Sequence, residues 1–172
     1  MLMNQHLPSS ELVIRPALFS DIPFIQNIAY NTWPSAYGAI LTQQQIDYML
    51  NWFYSEKELE EQMKNQHLFF IALQNFIPVG FAAFSAISAS ISKLHKLYVI
   101  PSEQKTGAGK ALLHTVEQVA QSKGATRLQL NVNRHNVAKS FYEKNRFSIV
   151  EEVNIDIGQG FFMNDYVMEK DL

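Results

Sequence analysis

Apolar positions along the chain switch repeatedly between helical and strand-like periods, and each change predicts an element. Leu12 to Ile14 is a short apolar start that ends at Arg15-Pro16. Ile22, Ile25, Ile28 and Ala29 then recur at helical spacing behind Ser20-Asp21 and Pro23, which predicts a helix from about Asp21 to Thr32 capped by that pair. Thr42 precedes a second helical face of Ile46, Met49, Leu50 and Phe53, and Ser55 with Glu58 forms a capping-box pattern for a third helix reaching about Lys64. At His67 the character becomes strand-like. Leu68–Leu73 and Pro78–Ala86 are continuous apolar runs separated by Gln74-Asn75, and Ile91–Ile100 is a further strand. From Thr106 a helical stripe of Ala108, Leu112, Leu113, Val116, Val119 and Ala120 leads to a Gly124 stop. Arg127–Val132 reads as a strand, Asn136–Lys144 as a short helix, and Phe147–Ile157 and Phe161–Lys170 as two closing strands. Helices interleaved with strands in this order predict an α/β fold with a mixed central sheet.

With 172 residues the chain suffices for one domain and one sizeable core, and no low-complexity linker or repeat divides residues 1–172. The balance of 14 basic and 16 acidic residues argues against a broad cationic face for nucleic acid. There is no cysteine, which excludes disulfides, thiolate catalysis and thiolate metal sites. His6, His67, His114 and His135 do not cluster at ligand spacing, so no metal is expected. The opening Met1–Pro8 has neither a cationic start nor an apolar stretch, Leu2 stands where myristoylation needs glycine, and no apolar run approaches the ~20 residues of a membrane span. The expectation is a cytoplasmic protein with no membrane partner.

The stretch "VIPSEQKTGAGKALL" (Val99–Leu113) passes from a strand through a glycine-bearing loop into a helix. The first amides of a helix lack internal partners and carry partial positive charge, so such a junction can hold an anion. Gly107 and Gly109 would let a large anion reach the backbone, with Lys105 and Lys110 flanking; alternatively the glycines serve chain geometry alone. A nucleotide P-loop is excluded because Ala111 follows Lys110, and a dinucleotide fingerprint fails at Leu112.

Gln104-x-x-Gly107-x-Gly109 resembles the pyrophosphate loop of the GNAT N-acetyltransferase superfamily, which binds acetyl-coenzyme A. "LHKLYVIP" (Leu94–Pro101) is similar to the strand preceding that loop, and "NVNRHNVAKSFYEKNRF" (Asn131–Phe147) resembles the superfamily's N-x-A-x-x-F-Y-E-K-x-G-F block. The likeness runs from about Leu68 to the C-terminus. "TWPSAYGAIL" (Thr32–Leu41) and "NDYVMEK" (Asn164–Lys170) further resemble bacterial diamine- or polyamine-type members.

The resemblance implies a GNAT fold and an acetyl-CoA-dependent transfer to a primary amine of a small molecule, by direct attack in a ternary complex. A catalytically silent acyl-CoA sensor is the alternative. It implies that Gln104, Lys105, Thr106, Gly107, Ala108, Gly109 and Lys110 hold the diphosphate, and that Leu97, Tyr98 and Val99 offer backbone to the pantetheine. Asn136 would bond the same arm, cap its helix, or do both. Tyr142 is the implied general acid for the departing thiolate, against the alternative of a core tyrosine. His95 stands where relatives often hold a glutamate base; it is a base with a reference pKa of ~6.5 or a histidine bonded to a neighbour. Strand alternation puts Lys93, His95, Leu97 and Val99 on one face and Leu94, Lys96, Tyr98 and Ile100 on the other. Where the block usually has glycine this chain has Arg146, so either Arg146 takes a left-handed conformation or Asn145 ends the helix. Trp33, Tyr37, Tyr48, Trp52 and Tyr54 would form an acceptor wall with Asp47, Glu56 or Glu58 nearby, or pack as core. Homodimers are common in the superfamily, and this sequence does not test that.

Overall fold

A computed structural model describes residues 11–172; the amino-terminal stretch read for a leader, and His6, lie outside them. Seven strands form one mixed sheet: β1 (Leu12–Pro16), β2 (Leu68–Gln74), β3 (Ile77–Ala86), β4 (Ile91–Val99), β5 (Arg127–Asn133), β6 (Ser148–Gly158) and β7 (Phe161–Asp171), in the order β1-β2-β3-β4-β5-β7-β6. β4 and β5 run parallel and every other neighbouring pair runs antiparallel. The parallel pair needs a crossover, which is α4 (Ala108–Ser122). The predicted stripe of α4 is its buried face: Ala108, Leu112, Leu113, Val116 and Ala120 pack on the sheet with Val99, Leu128 and Leu130. The opposite face of the sheet carries α1 (Ile22–Tyr37), α2 (Gln43–Phe53) and α3 (Glu56–Lys64), whose Ile25, Ile28, Ile46, Leu50 and Leu59 close over Phe69, Phe81 and Ala83. α5 (Ala138–Lys144) follows β5. Thr42 and Ser55 cap α2 and α3 as expected, accepting from the amides of Gln45 and Glu58.

Three local expectations are corrected. First, α1 runs to Tyr37 rather than Thr32, passing through Pro34. Proline removes one intrahelical bond, but Trp33 is buried against Tyr37, Tyr54 and Tyr98, and that packing carries the helix onward. Second, the Ser20-Asp21 pair does not cap α1. The Asp21 carboxylate accepts instead from the Leu18 amide at 2.8 Å and from the Arg15 guanidinium at 2.7 and 2.9 Å, fixing a short 3₁₀ turn ahead of the helix. The Arg15 hydrogen bond holds this buried acid below the usual carboxylate range. Third, the alternation along β4 breaks. Ala83 pairs with Lys96 and Phe84 with Leu94, so His95 is the extra residue of a β-bulge. Leu94 therefore joins Leu97 and Val99 on the α4 side, whereas His95, Lys96 and Tyr98 line the other side.

Candidate active site

β4 and β5 pair only from Ile91/Arg127 to Leu94/Leu130. Beyond that the strands part, and β4 from His95 to Val99 keeps β3 on one side while its other edge stays open. At the end of that edge the chain makes a 3₁₀ turn, Pro101–Glu103, and enters α4. Lys105 and Gly107 both take left-handed conformations, at φ 71° and 98°. This twist turns the amides outward: among the described residues no N–H from Lys105 to Lys110 has an acceptor, and Ala111 is the first to donate, to Gly107 O at 2.9 Å. A Cβ on Gly107 would meet nothing within 4 Å, so glycine serves the backbone angle there. Gln104 Nε2 donates back to Val99 O at 3.2 Å, and Thr106 Oγ1 to Glu103 O at 2.7 Å, which stiffens the loop.

The wedge between the parted strands is a slot of about 60 Å³ lined by Leu97, Tyr98, Val132, Asn136 and Tyr142 among others. Asn136 Oδ1 accepts from the Ala138 amide at 2.8 Å; α5 therefore begins two residues later than the sequence implies, with Asn136 restraining its first turn. Tyr142 is buried, and its hydroxyl makes no hydrogen bond among the described residues. Burial, reinforced by Tyr37, raises its pKa above the usual phenol value, so the hydroxyl keeps its proton. Arg146 takes the left-handed position at φ 70°, resolving the alternative at the end of α5.

Slot and sheet open into a cleft of about 260 Å³ between α1, α2, β4, β5 and β7. Tyr37, Leu94, His95, Lys96, Tyr98 and Asn131 line both cavities and so form their junction. The hydroxyls of Tyr37 and Tyr98 meet at 3.2 Å. His95 Nε2 lies 2.7 Å from Ser85 Oγ and its ring stacks on His67, with centroids 4.5 Å apart and an 8° interplanar angle. Burial first, then the charges of His67, Lys96 and Lys93, pushes His95 down to about 3. Stacked on His67, this imidazole is held below the near-neutral range expected of it, although its side chain is exposed. Lys96 is buried over the ring of Tyr54, 5.4 Å from its centroid, with Nζ donating to Gln62 Oε1 at 2.9 Å. Burial lowers Lys96 to about 8. Asp165 of β7 is buried opposite Asn133, and burial raises its pKa.

The structure brings His95, Tyr98 and Tyr142 together around the junction, with Leu97, Val99 and Asn136 along the slot and Gln104–Lys110 at its mouth. Lys105 and Lys110 are exposed beside the loop. Of the five aromatics, Trp33, Tyr37 and Tyr54 line the cleft; Tyr48 instead donates to Ile157 O and packs on Phe161, and Trp52 stacks on Phe53. Asp47, Glu56 and Glu58 do not line it: Asp47 accepts from Gln43 on its own helix, and Glu58 from Gln62. The cleft's carboxylate is Asp165, which the sequence reading missed together with Asn131. A signal existed in Asp165's place on the inward register of a closing strand, but only the β5–β7 pairing gives it meaning.

The family model described as acetyltransferase (GNAT) domain matches residues 39–166. A spermidine N(1)-acetyltransferase of Thermoplasma acidophilum is 29% identical over 163 residues, 91% of this chain and 95% of that one. An uncharacterised N-acetyltransferase of Bacillus subtilis is 28% identical over 85% of this chain and 86% of its own. Among solved structures, the PaiA N-acetyltransferase of T. acidophilum in complex with coenzyme A superposes with a TM-score of 0.80 at 26% identity, covering 94% of this chain and 99% of that one. A GNAT protein of Rhodopseudomonas palustris shares the fold at a TM-score of 0.81, covering 97% and 99%. A mixed sheet whose parallel pair parts beside an amide-lined loop is the framework of an acyltransferase. This chain belongs to the GNAT acetyltransferase family and is an enzyme, and the sensor alternative has no finding behind it.

Proposed function

We propose that the protein transfers the acetyl group of acetyl-CoA to a primary amine of a small molecule, by direct attack in a ternary complex. The observation that carries this reading is the parted β4/β5 pair: it sets an open strand edge and six free amides at one end and the unpartnered Tyr142 hydroxyl at the other. The amides of Lys105–Lys110 suit a diphosphate, and the β4 edge at Leu97–Val99 with the Asn136 amide suits the amide-bearing arm. Acetyl-CoA supplies the activated thioester. The acceptor nitrogen, approaching from the cleft, forms a bond to the thioester carbonyl carbon as the C–S bond breaks. Tyr142, protonated by virtue of its burial, gives the proton that the sulfur gains. The nitrogen loses one proton; His95, at the junction and exposed, accepts it and passes it to water, from which the Tyr142 phenolate regains the proton given to sulfur.

The small-amine acceptor is supported by the aromatic cleft and by the T. acidophilum relative named a spermidine acetyltransferase. A polyamine is one such acceptor; the charge of the cleft, taken up below, weighs against it. Thiol release from acetyl-CoA against a panel of polyamines, amino sugars, amino acids and peptide amino termini tests the transfer. Tyr142→Phe should then lower kcat about 10²-fold, the lower range for a general acid, with coenzyme affinity nearly unchanged. Undiminished turnover would remove Tyr142 from the chemistry.

A further inference from the structure

Charge is distributed unevenly around the cleft. Lys93 and Lys96 enter it from β4, and Asp165 is its single lining carboxylate. Lys93 is partly buried and makes no hydrogen bond or ion pair among the described residues. Lys96 is buried, and its one hydrogen bond goes to the neutral amide of Gln62; the carboxylate of Glu58 is a further step away, on Gln62 Nε2 at 2.7 Å. Among the described residues neither ammonium has a carboxylate in contact, Asp165 and Glu58 acting on Lys93 and Lys96 only at longer range, and both lysines face a space that a ligand can enter. One ring of the aromatic wall, that of Tyr54, is already covered by Lys96. Beside Asp165, Asn131 Oδ1 is buried with no donor among the described residues. That end can receive the N–H groups of an amine.

We infer that the acceptor is a primary amine that also carries an anionic group of the carboxylate class on an apolar body, its anion held by Lys93 and Lys96 and its amine directed to Asn131 and Asp165 at the junction. The inference rests on the cleft being the acceptor site of the transfer proposed above. Trp33, Tyr37 and Tyr98 also line the cleft, so the body of the acceptor is apolar. An acceptor of several positive charges would bring more cations to a wall that already holds two.

Matched probes decide the matter. Coenzyme A-loaded protein is titrated calorimetrically with 3-phenylpropanoate and with 3-phenylpropylamine. Acetyl-CoA turnover is measured for phenylalanine against 2-phenylethylamine, for 5-aminopentanoate against pentylamine, and for spermidine. The acid-bearing member of each pair should be favoured about tenfold, the factor of one charge-assisted hydrogen bond. Lys93→Glu, with its melting temperature checked, should reverse the order, whereas Lys93→Gln should level it. Preference for spermidine, or for the acid-free member of both substrate pairs, overturns the inference while leaving acetyl transfer standing. Tight binding of 3-phenylpropanoate with no thiol released by any amine leaves the anion site standing and overturns the transfer. Equal treatment of both members in binding and turnover also overturns the anion site.

Discussion

Slot and cleft meet at six residues, yet they are made of different material. The slot's coenzyme-facing frame is backbone: an open strand edge, a left-handed loop and the first turn of α4, within one stretch of about twenty residues, to which Asn136 and Tyr142 add side chains. The cleft is side chains drawn from α1, α2, β4, β5 and β7, which are spread over most of the chain. A backbone site constrains only a few positions, those that must twist or stay small, and it tolerates change elsewhere. A side-chain site can change its ligand through single substitutions at distant positions while the scaffold persists. The GNAT framework thus keeps one donor and varies the acceptor because the two sites are written in different parts of the molecule.

The sharpest way to break this comparison is to damage one site and look for an effect in the other. A Cβ on Gly109 would make ordinary contacts of 3.8–3.9 Å with Phe141, Val99 and Leu97, so the fold can hold a larger residue. The added methyl groups of Gly109→Val would nevertheless stand in the loop at the slot's mouth. Coenzyme A affinity by calorimetry should fall about tenfold, a loss near 1.4 kcal/mol, with the KM for the amine unmoved. Phe162→Ala, on the exposed rim of the cleft, should do the converse and raise only the amine KM. If either variant moves both constants equally, the two sites are one coupled unit and the division fails.

The same division explains what the sequence made legible. Gln104, Gly107, Gly109, Asn136 and Tyr142 were recognisable because their spacing along the chain is their geometry. Asp165 and Asn131 were not, because their proximity exists only through the pairing of Asn133 with Asp165 in the sheet. The face assignment on β4 failed for a subtler reason. Period-two alternation assumes an unbroken pleat, and the bulge at His95 shifts every residue before it relative to those after it. That slip puts His95 and Lys96 on one side and builds the junction. The helix that outruns Thr32 was hidden likewise: Pro34 predicts a stop, and only the packing of Trp33 overrides it.

A smaller effect concerns His95, whose ring stacks on His67 while its side chain stays exposed. The folded-state pKa of His95 is about 3, below the unfolded value of 6.5. Between those values the unfolded chain binds a proton that the folded chain refuses, so stability rises with pH across that window and is fully present above 6.5. His67 is lowered by burial and acts in the same direction. The melting temperature should therefore drop as pH falls from 6.5 towards 4, and His95→Gln should reduce the linkage slope by up to about one proton. The pH–rate profile of the native enzyme should show no acid limb at 6.5 that His95→Ala abolishes. Such a limb would mean that the imidazole is wetter than its packing against His67 and Lys96 implies.

The smallest effect lies at the end of α5, where the phenol proposed as the acid depends on a backbone cap. The Arg146 amide donates to Glu143 O at 3.0 Å and the Phe147 amide to Tyr142 O at 3.1 Å, the two bonds of a Schellman motif. The rings of Tyr142 and Phe147 meet edge-on at 5.7 Å, which is that motif's hydrophobic contact. The cap thereby fixes the helical residue that carries the phenol, and it does so with arginine at φ 70°. A left-handed L-residue costs about 1–2 kcal/mol, and glycine gives back roughly 0.5–1 kcal/mol through its looser unfolded state. Arg146→Gly should therefore stabilise by about 0.5–1 kcal/mol and raise the melting temperature by about 1–4 °C. Turnover should not change, because Tyr142 keeps its place in either variant. A loss of stability would mean that the guanidinium contributes more than the backbone strain costs; a change in kcat at constant stability would mean that the cap tunes the phenol as well as holding it.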